Sequence, residues 1–229
     1  MESHAELRRE IIDTLEKKSA LKQAVFDRTF ALLGDIKEAL HELSTEIDEE
    51  TDETIDRRIR IEYRDRGKFE AQIQVAGDML ILTMHTNVFR FPSDHEVWKT
   101  DYVAADRQNA FFGVINVYNF LADSFKYNRS EDEGYLIGRI FVNREGAFFV
   151  DSKWPNQWNV EEFGTQLIDR DKVLQILESA ILYSLHFDLL IPPYETVKQV
   201  NVEQFNSKLE NSKLQTGKRM GYDFDAEDL

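Results

Sequence analysis

The chain has 229 residues, 42% hydrophobic and 31% charged, too apolar for a disordered polymer and too polar for a membrane protein. Its 43 acidic residues against 28 Lys and Arg leave a formal charge of −15, so it repels a phosphate backbone and nucleic-acid binding is disfavoured. Without cysteine it has no disulfide framework, thiolate nucleophile or thiolate zinc site.

The first residues, Met1 to Glu6, lack a basic segment followed by an apolar run, so no secretory leader is read and a cytoplasmic protein is expected. From Ala5 to Ile47 there is no proline. Leu7, Ile11 and Leu15, then Phe26, Phe30, Leu33, Ile36, Leu40, Leu43 and Ile47, recur at helical spacing. The heptad Phe26, Leu33, Leu40, Ile47 fits a helix lying on the domain's own sheet, or a helix pair that is either intramolecular or intermolecular, the latter making a homodimer through this helix. Ser19 or Gly34 is expected to break the segment. Residues 1–48 therefore read as a helical arm. The acidic crowd Glu46, Asp48, Glu49, Glu50, Asp52, Glu53 and Asp56 reads as a solvated linker over 49–57.

Strands follow. Ile59, Ile61 and Tyr63 alternate with Arg58, Arg60, Glu62 and Arg64, so these arginines are expected on a wet strand face rather than in a basic patch. Phe69 to Val75 alternates likewise, Gly77-Asp78 reads as a turn, and Met79 to Thr86 is a central-strand run that extends towards Phe91 before Pro92. Ser93 to Asn109 holds a short helix at most. In the next segment Phe112, Val114, Tyr118 and Phe120 point one way and Ile115, Val117 and Leu121 the other, a buried strand with helix as the alternative. Tyr135–Val142, the turn Asn143 to Gly146 and the strand Ala147–Asp151 complete the antiparallel set.

A buried helix from about Lys172 to Leu190, capped by Asp169 or Asp171, ends at Pro192-Pro193. A weaker helix through Val197, Val200, Phe205 and Leu209 is expected next, and residues 213–229 read as a mobile acidic tail. The fold class is thus α+β: an antiparallel sheet of five to six strands over 58–212, a long N-terminal helical segment, and a buried C-terminal helix packed on the sheet. No transmembrane segment is expected, since the apolar stretches are too short.

The glycines form no phosphate-binding loop, Gly-x-Ser-x-Gly is missing, and the five histidines show no zinc-protease spacing, so no cofactor and no metal are expected. Asp94-His95-Glu96 are adjacent on a loop and rarely aim at one ion; a carboxylate pair drawn from Asp101, Asp106 and Asp151 is unconstrained among so many acids. No residue is assigned a catalytic role. Trp154 and Trp158 bracket Pro155, Asn156 and Gln157; they could offer flat aromatic surface to a partner, or fold back over the core.

The leading expectation is a non-enzymatic, acidic, chaperone-like module that binds another protein. Element order and charge, though no motif, resemble those of the small acidic chaperones of type III secretion, and that resemblance implies a dimer that binds effector chains. The alternative is a small-molecule-binding protein or hydrolase with a cleft between the sheet and the 172–190 helix, lined by His85, Tyr118, Arg139 and Trp158.

Overall fold

Short turns set the frame. The structure is a computed structural model that describes residues 4–51, 54–56, 59, 61–130 and 132–187. Six strands, β1 Ile61–Asp65, β2 Glu70–Val75, β3 Asp78–Met84, β4 Gly113–Leu121, β5 Tyr135–Val142 and β6 Phe148–Ser152, pair antiparallel in chain order as one sheet. The β2–β3 hairpin closes through Ala76-Gly77, between the paired residues Val75 and Asp78, with Ala76 at φ 54°. Asn143 closes β5–β6: its side-chain oxygen accepts from the backbone N–H groups of Glu145 and Ala147, and its amide donates to the Tyr102 hydroxyl and the Asn109 carbonyl. A fully buried amide is satisfied on both sides, which fixes the turn against the 101–110 segment.

The helices are α1 His4–Thr14, α2 Ala20–Thr51, α3 Asp101–Ala105, α4 Ala122–Lys126 and α5 Arg170–Leu185, with a π turn at Leu15–Ser19 between the first two. Val25, Leu32, Leu33, Ile36, Ala39, Leu40 and Leu43 of α2 are buried on the inner face of the sheet, beside Val173, Ile176, Leu177, Ala180 and Ile181 of α5. Each such aliphatic side chain contributes about 1.5–3 kcal/mol by leaving water. Leu33 and Leu40 of the heptad are buried, with Phe26 and Ile47 at half-buried margins, so this chain's own sheet and α5 fill the seam. The approach is close at Gly113, where a Cβ would lie 1.8 Å from Thr29 Oγ1.

The outer face is covered in two separate places. Val97, Val103, Ala110, Phe112, Val114, Phe141, Phe149 and Phe163 form a second core under the 96–110 segment. Met79, Ile81 and Ala122 form a small third core under α4. Ile115 and Val117 point inward while Phe112, Val114 and Phe120 point outward, the two-sided burial expected of β4.

Several boundaries differ from expectation. The acidic run does not start a linker at 49; α2 continues through Thr51, because Glu46, Asp48, Glu49 and Glu50 sit on its exposed side while Ile47 stays half-buried. The break falls at the π turn near Ser19, and Gly34 lies inside α2. β1 begins at Ile61 rather than Ile59, and β3 ends at Met84, with Phe89 joined to Phe112 only by an isolated bridge. Asp169 is the cap of α5: its carboxylate accepts from the Lys172 backbone N–H at 3.0 Å. The Lys172 ammonium, and then that backbone bond, hold its pKa below the ordinary value. The helix ends at Leu185, short of Leu190. The Pro192-Pro193 stop, the 197–209 helix and the 213–229 tail lie outside the described residues. No helix among the described residues is long and apolar enough to cross a membrane.

Candidate functional site

The tryptophan loop faces inward. Trp154 and Trp158 are 4% and 5% exposed and belong to the inner-face core, so of the two alternatives they fold back over the core rather than offer a partner surface, and Trp158 is not among the residues that line the groove described below. Two local features turn them in. Asn156 pins the loop, its amide donating to Ser152 Oγ at 2.8 Å and the Val150 carbonyl at 3.3 Å while its oxygen accepts from the Trp158 backbone N–H. Gly138 of β5 leaves room for the Trp154 ring, since a Cβ there would stand 2.4 Å from its Cη2.

Where a cleft between the sheet and the 172–190 helix was expected, the described part of that helix, α5, buries its apolar side chains directly on the inner face. A groove lies instead on the outer face. His85 extends β3, its backbone N–H donating to the Val114 carbonyl at 2.9 Å, and Arg139 stands on β5 opposite Asn116 of β4. Register puts Glu70, Thr83, Asn116, Arg139 and Asp151 in one polar row across β2 to β6, between the two outer cores. Where this row meets the second core, His85, Asn116 and Arg139 join Phe89, Arg90, Phe91, Pro92, Val114 and Phe141 around a groove of about 270 Å³. Two of the expected lining residues, His85 and Arg139, are thus brought together. Tyr118, paired with Ile81 and Leu136, lies on the α4 side of the same face and is not part of the lining.

The groove's cations differ in their ties. Arg139 donates through Nε and Nη2 to Asp151 Oδ2 and lies over the Phe141 ring, 5.3 Å from its centroid. Arg90 makes no ion pair among the described residues; its guanidinium lies 5.2 Å from the Trp98 ring centroid and 5.9 Å from that of Phe111. His85 Nδ1 accepts the Asn87 backbone N–H at 3.0 Å, so the neutral ring carries its proton on Nε2. Arg90, Phe91 and Phe141 escaped sequence reasoning; Phe89-Arg90-Phe91 before Pro92 was the available signal, an alternating run that leaves its sheet at a proline.

A second surface left uncovered is the N-terminal arm. Every residue from His4 to Ala20 is exposed, including Leu7, Ile11, Ile12 and Leu15 at 44–60%. Leu7, Ile11 and Ile12 of α1, with Leu15 at the start of the π turn, make an amphipathic stripe that nothing covers among the described residues. The π turn adds about one residue to the repeat, rotating this stripe by roughly 100° from the buried face of α2.

No constellation for a reaction is assembled from the other candidates. His95 stacks on Phe91, ring centroids 3.9 Å apart, and its Nδ1 accepts from the Val97 backbone N–H, while Glu96 pairs with Lys99. Asp106 pairs with Arg144 and Asp151 with Arg139, on different strands and loops. Among the described residues no group of three or more His, Asp or Glu side chains could hold a metal ion. The chain matches no family model, no curated protein and no solved structure.

Proposed function

We propose that the protein is a non-enzymatic assembly module that joins to a second copy of itself through its N-terminal arm, whose 16 residues from His4 to Ser19 reach about 24 Å along the helix axis. The observation that carries the reading is the stripe Leu7, Ile11, Ile12 and Leu15, left bare among the described residues. Each of these side chains would contribute about 1.5–3 kcal/mol if it were fully withdrawn from water, so covering them favours association. Charge indicates what covers it. The arm's acids, Glu6, Glu10, Asp13 and Glu16, are balanced by Arg8, Arg9, Lys17 and Lys18, whereas the chain as a whole carries −15. Two copies repel each other over most of their surface and least at this neutral arm.

Light scattering on the full chain tests the reading. A dimer is expected, one that tightens as salt screens the repulsion between the two acidic bodies. Changing Ile11 and Leu15 together to glutamate should give a folded monomer whose melting temperature no longer depends on protein concentration, because neither side chain is in the core and only the association is lost. A wild-type chain monomeric at all concentrations and salt levels overturns the proposal, as does a dimer that survives the double change.

A further inference from the structure

The outer-face groove has a composition unusual for this molecule. The chain carries 43 acidic residues, yet no acidic side chain lines this groove. Its polar lining residues are Arg90, His85, Asn116 and Arg139, each of which carries an N–H donor, and Arg139 has Nη1 outside its bonds to Asp151. Its walls are the rings of Phe91 and Phe141. We infer that this groove binds a small carboxylic acid with a compact aromatic or branched apolar body, the carboxylate on Arg90 and the body against the phenyl walls.

Three physical points favour that chemistry. Arg90 is pre-positioned, because the faces of Trp98 and Phe111 hold its guanidinium without neutralising it, so a planar carboxylate can take two parallel hydrogen bonds from it. The volume of about 270 Å³ lies below the range of drug-sized sites, which limits the apolar body to about one ring or a short branched chain. A phosphate would set three charged oxygens against walls that are largely hydrocarbon, leaving some without donors.

Calorimetry with the full chain tests the assignment, using 3-phenylpropionate, its neutral amide and inorganic phosphate as probes, with 4-methylpentanoate as a branched acid. At least one of the two acids is expected to bind at millimolar concentration or below. The amide of phenylpropionate should bind at least about tenfold more weakly than its acid, and phosphate should not displace either acid. Arg90→Gln should weaken acid binding about tenfold with little effect on the amide, and Arg90→Lys should restore part of the loss. Arg90 is exposed, so both variants should melt with the wild type. The inference fails if neither acid binds, if acid and amide bind equally, if Arg90→Gln binds as the wild type does, or if phosphate displaces the acid. Light scattering of the same samples separates this result from the fate of the proposed dimer, since the groove lies on the sheet and not on the arm.

Discussion

Replacing Gly138 by alanine should cost the fold about 2 kcal/mol, and most of that cost should vanish when Trp154 is phenylalanine. An alanine Cβ at 138 would lie 2.4 Å from Trp154 Cη2 and 2.9 Å from Cζ3, where carbon atoms in contact normally keep about 3.5–4.0 Å. The indole must therefore retreat by about 1 Å. Its retreat is opposed by Tyr183 of α5, whose ring centroid is 6.1 Å from that of Trp154, so α5 must shift too. Overpacking of this kind costs about 1–3 kcal/mol. Phenylalanine at 154 lacks the outer atoms of the indole and so clears the new methyl group. It also removes the indole N–H, which is buried without a hydrogen-bond partner. Relief of that donor offsets much of the lost packing, so Trp154→Phe alone should cost only about 1 kcal/mol. Urea unfolding followed by far-ultraviolet circular dichroism on the four members of the cycle should give a favourable coupling of about 1–2 kcal/mol. Strict additivity, or a Gly138→Ala change within about 0.5 kcal/mol of wild type, would refute the inward placement of Trp154.

Asn143→Ala should destabilise by about 3 kcal/mol, seen as a lower urea midpoint, because it strips partners from the Tyr102 hydroxyl and from the backbone of Glu145 and Ala147; a loss below about 1 kcal/mol would contradict the hub role. Tyr102 is pushed up to about 12 by burial and by its 2.5 Å bond to Glu145. Its neutral phenol therefore adds stability that is complete below pH 10 and fades as pH rises through about 12. Melting curves across that window should fall more steeply for wild type than for Tyr102→Phe, and parallel slopes would count against it. Ala76, at φ 54° as the first residue of the two-residue hairpin, should gain about 0.5–1 kcal/mol on becoming glycine, which has no Cβ to crowd the left-handed backbone; a loss of stability by thermal melt would show that the left-handed conformation is wrong.

The parts of the fold legible in sequence are those whose signals are local. β5 was bounded at both ends by turn residues, and Asp169 marked the start of α5 by the capping chemistry its carboxylate performs. The acidic stretch after Glu46 misled because charge density argues against burial, not against a helix: Ile47 keeps the apolar stripe going while its acidic neighbours stay in water. Tertiary facts were less accessible. Whether Trp154 points out or in depends on a missing side chain at Gly138, sixteen residues earlier, and on the arrival of α5. His85 and Arg139 came from separate strands and meet only through β4, while Tyr118, on the same face of β4, is carried past the groove beside a register shift at Val117/Tyr118. Arg90 owes its place to rings from Trp98 and Phe111, contacts made after the chain has left the sheet.

The strand order β1-β2-β3-β4-β5-β6 also bears on how the molecule comes into being. Each new strand adds to the edge left by the one before, so a chain emerging from the ribosome can lengthen its sheet hairpin by hairpin, with no strand slipped between two others. The seam of α2 is made first and waits longest, because α5, the helix that completes its cover, is the last described element to be synthesised. Until then one flank of a long greasy helix stays open, and the acids massed at its far end keep that half-built chain in solution.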